Sequence, residues 1–250
     1  MGTIADLDEV MYTCGLDVLH PGGLRGTEEL ARRCGVAPGM RVLDIGSGKG
    51  ATACHVAERF GCTVVGLDRS GRMVHYARAK ADELGLSDRV TFIEGSALEL
   101  PFEDESFDVV LSECTTTLLD VERAFAEFLR VLKRGGAVGD SDMVWSKPPP
   151  AELTAAVARL WEGFRTMTLA EWQAFFERHG LLDVQSSEFD ESFSDMQASI
   201  VRDLGPGGLL RVAVLLLERE DLRNAVGEFR RLARDYQDYF GYGCVVGRKS

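Results

Sequence analysis

The stretch Val42-Leu43-Asp44-Ile45-Gly46-Ser47-Gly48-Lys49-Gly50, followed by Val64-Val65-Gly66-Leu67-Asp68, limits the folds open to this chain more than any other feature. An apolar run broken by one acid predicts a short buried strand. Glycine at every second position then predicts a tight loop into a helix, and the second apolar run predicts a strand that ends in a carboxylate. A strand that turns sharply into a helix with a ligand against its backbone needs residues without Cβ at the contact points. Asp68 falls where nucleotide-binding units hold a pair of ribose hydroxyls.

Two kinds of ligand compete for such a loop. Gly46-x-Gly48-x-x-Ala51 fits the relaxed dinucleotide fingerprint, and Tyr76-x-x-x-Lys80 has the spacing of the catalytic pair of short-chain dehydrogenases. That pair falls on the helix after the second strand, where a solvated helix face explains it. Dinucleotide phosphates sit on a helix N-terminus, and Asp44, two residues before the first glycine, would repel them. An acid there suits an amino group. The pattern Asp44-x-Gly46-x-Gly48-x-Gly50 resembles motif I of the class I S-adenosylmethionine-dependent methyltransferases. The approach to the fourth strand, Leu100-Pro101-Phe102-Glu103-Asp104-Glu105-Ser106-Phe107-Asp108, matches that family too, so the resemblance runs over residues 38–145.

Element signals elsewhere agree with an alternating α/β order. Strands are expected at 41–45, 63–67, 89–94, 107–112, 137–143, 182–188 and 241–249. Ser70 reads as the N-cap of a helix with Met73, Ala77, Lys80, Ala81 and Leu84 along one face, ended by Gly85. Val121, Ala124, Phe125, Phe128, Leu129 and Leu132 mark the clearest helix. Others are expected at 27–34, 50–60, 151–164, 168–179, 207–218 and 221–240. Alternation of this kind implies a parallel sheet covered on both faces, with ligands at the carboxyl ends of its strands.

The resemblance implies a Rossmann-like, doubly wound, seven-stranded and mostly parallel sheet with an antiparallel last strand. The whole chain, 1–250, then reads as one methyltransferase domain. It divides into a helical lead-in or lid (1–40), a core (41–145), the second half of the sheet (146–192), a helical insertion or cap (193–240) and the final strand (241–250). The apolar faces Leu209, Leu210, Val214, Leu217 and Val226, Phe229, Ala233, Tyr236 are expected to pack on the sheet, the lead-in or a second subunit. This insertion and the lead-in are expected to roof the acceptor pocket and to close when the cofactor binds.

Composition narrows the partners. A net charge of −12 and a pI near 4.9 disfavour nucleic acid, whose binding depends on clustered Lys and Arg. No apolar run reaches the roughly 18 residues of a membrane span, and Met1–Val10 lacks signal-peptide organisation. A cytoplasmic monomer or homodimer acting on a small molecule is the expectation. Lys147-Pro148-Pro149-Pro150 reads as a stiff linker. None of the six cysteines forms a C-x-x-C pair, so no metal site is expected; Cys54, Cys62 and Cys244 read as small core residues.

By resemblance, Gly46, Ser47 and Gly48 would pack under the methionine part of S-adenosylmethionine, Asp44 would orient its amino group and Asp68 would hold its ribose hydroxyls. Arg69 would cover the adenine. Gly95-Ser96-Ala97 stands where the family has Gly-Asp-Ala, so Ser96 or the Ala97 backbone would meet the adenine amino group. Glu113 would touch cofactor or acceptor and is the first catalytic candidate; His20 and Tyr12 are candidate bases, and Asp142 is a second candidate contact. Methyl transfer from a sulfonium needs no acid for the leaving group and no metal. Carboxylates with Trp145, Trp161 and Trp172 would also suit a cationic or amine acceptor, though core packing explains the tryptophans equally well. Two further readings remain: an arsenite- or thiol-directed enzyme using Cys14, Cys54 and Cys114, and a cofactor-binding protein without turnover.

Overall fold

The computed structural model describes residues 10–161, 163–189 and 193–250. Expectations for residues 1–9, 162 and 190–192 lie outside the described residues. Seven strands make one sheet: β1 (Arg41–Ile45), β2 (Thr63–Asp68), β3 (Val90–Glu94), β4 (Phe107–Glu113), β5 (Leu132–Trp145), β6 (Leu181–Glu188) and β7 (Phe240–Lys249). Their order is β3-β2-β1-β4-β5-β7-β6. The first five strands pair in parallel, and β7 runs antiparallel between β5 and β6. The sheet is therefore the seven-stranded, Rossmann-like one that the motif implies.

Both faces of this sheet are covered, which is why its central strands are apolar at consecutive positions. Helices α1 (Gly23–Cys34), α2 (Ala51–Phe60) and α3 (Gly71–Glu83) lie on one face, over Val42, Val64, Val109 and Leu111. On the other, α4 (Val121–Val131) and α6 (Leu169–Arg178) lie over Leu43, Val65, Val110 and Val138. Phe125, Phe128 and Phe176 are fully buried there, each contributing about 1.5–3 kcal/mol. Helix α5 (Ala151–Leu160) packs in a separate cluster with Trp145, Trp161 and Phe240 at the end of β5.

Several boundaries differ from the sequence reading, each for a local reason. Ser70 does cap α3, accepting from the Met73 amide at 3.4 Å, and Met73, Ala77 and Ala81 are buried. Leu84, expected on that face, follows the last helical residue and is exposed, while Lys80 reaches out to Asp17. Helix α4 stops at Val131, and Leu132 already pairs with Phe107. Residues 133–136 bulge before pairing resumes at Ala137, so β5 starts well ahead of the expected 137.

The insertion departs further. Helix α7 (Phe193–Glu218) begins long before 207 and breaks at Gly205, whose φ of 59° and ψ of −179° only glycine adopts easily, just before Pro206. Helix α8 (Glu220–Asp235) follows, burying Leu222 and Ala225. The second half of α7 touches the lead-in through Gly208 and Val212, beside Leu204, Cys14 and Leu16. The face expected to be covered points the other way: Leu210 is 66 % and Leu217 78 % exposed, with Leu209 and Val214 also exposed.

Candidate active site

A cavity of about 670 Å³ opens at the carboxyl ends of β1, β2, β4 and β5. Its floor begins with the glycine loop. The Gly46 amide donates to the Leu67 carbonyl at 2.8 Å and Ser47 to the same oxygen at 3.1 Å, tying the loop to β2. Gly46 has φ of 71°, and a Cβ there would lie 2.7 Å from Cγ2 and 2.9 Å from Cβ of Thr115. Asp68 accepts from the Gly48 amide through Oδ2 and from the Ser70 amide through Oδ1, both at 2.8 Å. Arg69 is exposed at the rim, and Ala97 is buried. The Ser96 hydroxyl accepts from the Leu98 amide at 3.2 Å, a turn within its own loop.

Two buried carboxyls dominate the centre. Asp44 is 2 % exposed, and its Oδ2 has no partner. Burial, then the carboxylates of Glu113 and Asp68, push Asp44 well above the usual carboxylate range. Glu113, at the end of β4, is 8 % exposed. Its Oε2 accepts from the hydroxyls of Thr27 at 2.9 Å and Thr52 at 3.0 Å, with His20 Nε2 3.5 Å away, while Oε1 has no partner. Thr27 and Thr52 were not singled out by the sequence. Their hydroxyls lie on helices α1 and α2, and no local pattern announced that both converge on a strand far away in the chain.

On the opposite face of the sheet, Asp140 accepts from Thr116 at 2.5 Å, and Thr116 shares a 2.8 Å hydrogen bond with Ser112. Burial and the neighbouring Asp142 raise Asp140, against the hydrogen bonds from Thr116 and Ser112. Asp142 itself reaches the cavity and accepts from the Thr117 hydroxyl at 2.8 Å and the Met143 amide at 2.8 Å.

The roof comes from two separated parts of the chain. The lead-in supplies Met11, Tyr12, Leu19 and His20, and the insertion supplies Met196, Ile200, Val226 and Phe229. Asp17 fastens the lead-in, pairing with Lys49 at 2.8 Å and Lys80 at 2.7 Å. Against the cost of its burial, those two ammonium groups hold its carboxyl below the usual range. Arg211 of α7 donates to the Cys14 carbonyl at 2.5 Å, joining the two parts of the roof. Of the three tryptophans, only Trp161 lines the cavity, edge-on to Phe229 at 4.9 Å; Trp145 and Trp172 are core.

The structure does not bring Cys14, Cys54 and Cys114 together. Cys54 packs under the sheet with α1 to α3, Cys14 packs in the roof, and Cys114 lines the cavity. Burial pushes the Cys54 thiol up to about 11, which removes its thiolate at neutral pH. Among the described residues no three of His, Cys, Asp and Glu form a group suited to a metal ion. This corrects the expectation of a shared soft-ligand site.

A family model described as a methyltransferase domain matches residues 43–139. The methyltransferase GfsG of Streptomyces halstedii is 32% identical over 239 residues, which cover 92% of this chain and 81% of that relative. The chain belongs to the class I S-adenosylmethionine-dependent methyltransferases. This methyltransferase is also 32% identical to phosphoethanolamine N-methyltransferase 1 of Arabidopsis thaliana over 240 residues, 94% of its own length but 48% of that relative. Its fold is shared with an S-adenosylmethionine-dependent methyltransferase from Geobacter sulfurreducens in complex with S-adenosyl-L-homocysteine: TM-score 0.72, 23% identity, 100% of each chain covered. The floor fits the family's cofactor. It offers a cradle that a Cβ at Gly46 would fill, an unpartnered buried carboxyl oxygen, Oδ2, at Asp44 and an unpartnered buried hydroxyl at Ser47. No helix among the described residues is long and apolar enough to cross a membrane.

Proposed function

We propose that this methyltransferase alkylates a largely apolar small molecule at a protic atom, with Glu113 taking the acceptor's proton. The observation that carries the reading is the free Oε1 of Glu113, buried yet without a partner at the cavity. A buried carboxylate oxygen left unpaired costs free energy, and a donor on a bound ligand removes that cost. The apolar half of the cavity, with Trp161, Phe164, Met196, Ile200 and Phe229, supports a bulky hydrophobic acceptor body. Among the described lining residues the arginines are Arg69 and Arg230, both exposed, which is a poor match to a phosphorylated amine.

In this reading Asp44 meets the cofactor's amino group, Asp68 its ribose, and Ser47 with the Gly46–Gly48 backbone its methionine part. Adenine would lie between Arg69 and the Ser96–Ala97 backbone. The bound cofactor supplies an electrophilic methyl on a sulfonium, so the departing thioether needs no proton. What remains for the protein is alignment and the acceptor's proton. Glu113 accepts that proton at Oε1, while Asp142 and Tyr12 border the acceptor. His20 faces Glu113 through Nε2 and the Pro21 carbonyl through Nδ1, so it serves Glu113 rather than acting as an independent base.

Incubating the purified protein with S-adenosylmethionine and a panel of hydroxylated apolar compounds and polar amines tests this. Mass spectrometry should find products one methyl group heavier from the apolar set. Turnover confined to phosphorylated or zwitterionic amines would reject the acceptor class.

Asp44 makes a separate prediction. A carboxyl held protonated by burial in the free protein ionises when an ammonium is placed beside it. Binding of S-adenosylhomocysteine should therefore release a proton, and affinity should rise with pH across the titration of the raised Asp44 carboxyl. Calorimetry in buffers of different ionisation enthalpy reads this directly, and Asp44→Asn should abolish the release.

The roof is proposed to open and close, with the Asp17 ion pairs as its latch. Hydrogen exchange with and without S-adenosylhomocysteine should show protection in residues 10–25 and 193–240. Protection limited to the glycine loop would make these segments fixed packing.

A further inference from the structure

We infer that Thr27 and Thr52 are positioning residues that turn the Glu113 carboxylate so that one oxygen is committed to the protein and the other to the acceptor. The inference rests on the role proposed for Glu113. Both hydroxyls donate to the same atom, Oε2, at 2.9 and 3.0 Å, and leave Oε1 without a partner. Were they present only to solvate a buried acid, donors shared between the two oxygens would serve better, because each carboxylate oxygen has about two acceptor sites. Doubling on one oxygen instead fixes the carboxylate torsion and keeps the second oxygen available.

Position in the fold supports the same reading. Thr27 is 0 % exposed on α1 and is absent from the cavity lining, so it reaches the chemistry through Glu113 and through His20, whose Nε2 lies 3.5 Å from its hydroxyl. Thr52 belongs to the first turn of α2, the helix that leaves the glycine loop. Glu113 closes β4. Three elements on one face of the sheet thus converge on one oxygen atom, and His20 Nε2 stands behind that same atom at 3.5 Å. Packing and hydrogen bonds that lock a rotamer in this way are what hold a reacting group to a fraction of an ångström.

The first test needs no acceptor. Crystal structures with S-adenosylhomocysteine should show one Glu113 orientation in the wild-type protein and a rotated or divided carboxylate in Thr27→Val/Thr52→Val. An unchanged carboxylate in that variant overturns the inference. The second test uses the panel acceptor with the highest turnover. Thr27→Val, which keeps shape and removes the donor, should lower kcat about 10- to 100-fold, as misplacement of a reacting group does, while the S-adenosylhomocysteine Kd stays within about twofold. Thr27→Ser, which keeps the donor and loses a methyl group, should retain kcat within about threefold of wild type even if its Tm falls. The reverse ranking would show that Thr27 is packing. In a Glu113→Gln background the Thr27→Val change should add little, since the two act as a unit. If Glu113→Gln alone keeps full kcat, the proposed role of Glu113 fails, whereas an impaired Glu113→Gln with a normal Thr27→Val defeats only this inference.

Discussion

Asp68→Ala should weaken S-adenosylhomocysteine binding by about 10- to 100-fold, the equivalent of about 1.5–3 kcal/mol for hydrogen bonds to a charged group. Two losses combine in that figure. One is the acceptor proposed for the ribose hydroxyls. The other is the pair of 2.8 Å bonds from the Gly48 and Ser70 amides, which hold the glycine loop and the start of α3 in place. Asp68→Asn separates them, because the amide oxygen keeps one backbone bond while the charge is gone. Its affinity should fall between wild type and Asp68→Ala. Titration calorimetry on variants with unchanged far-ultraviolet spectra measures both, and an unaltered Kd in Asp68→Ala would remove Asp68 from the ribose.

Gly46→Val should be the most damaging single change in the floor of the site. The residue sits at φ 71°, and its Cβ would meet Oγ1, Cγ2 and Cβ of Thr115. Left-handed backbone costs an L residue about 1–2 kcal/mol, and overpacking typically adds about 1–3 kcal/mol. Urea unfolding should therefore show a loss of about 2–5 kcal/mol, with cofactor binding abolished because the loop must move. Thr115→Gly in the same chain removes the clash but leaves the backbone penalty. It should recover part of the stability, a coupling that a double-mutant cycle isolates. Full additivity of the two changes would mean that the loop avoids Thr115 by another route.

The cavity residues whose positions were readable from the chain alone are those whose surroundings are local. Asp44, Gly46, Gly48 and Asp68 sit within one strand–loop–helix–strand unit, where spacing along the chain translates directly into spacing in space. Glu113 was readable because it ends a strand of the same sheet. Thr27, Thr52 and Thr117 were not, since a threonine on or beside a helix carries no mark of the distant carboxylate it meets. The insertion shows the same limit. Periodicity found the apolar residues of 207–218 but not the side that would be covered, because that depends on the turn at Gly205 and on Gly208 meeting Cys14. The helical start at Phe193 was missed although Met196, Ile200 and Leu204 recur four apart, because Gly205-Pro206-Gly207-Gly208 reads as a loop that separates this short face from the next. Of the two readings open for Cys54, the small core residue holds and the soft ligand does not: it lies on the buried side of α2, turned into the core.

The position of β7 has a consequence for how the molecule is made. This strand pairs with β5 along nine residues and with β6 on its other side, yet it is the last of the seven to leave the ribosome. Until it emerges, β5 and β6 each carry an open hydrogen-bonding edge, and Val138 and Leu181 lack the neighbours Val245 and Gly247 that cover them in the finished sheet. Such edges invite pairing with other chains. Synthesis that stalls within the insertion should therefore yield an aggregation-prone fragment rather than a trimmed enzyme, and the helices of the insertion set how long that exposure lasts.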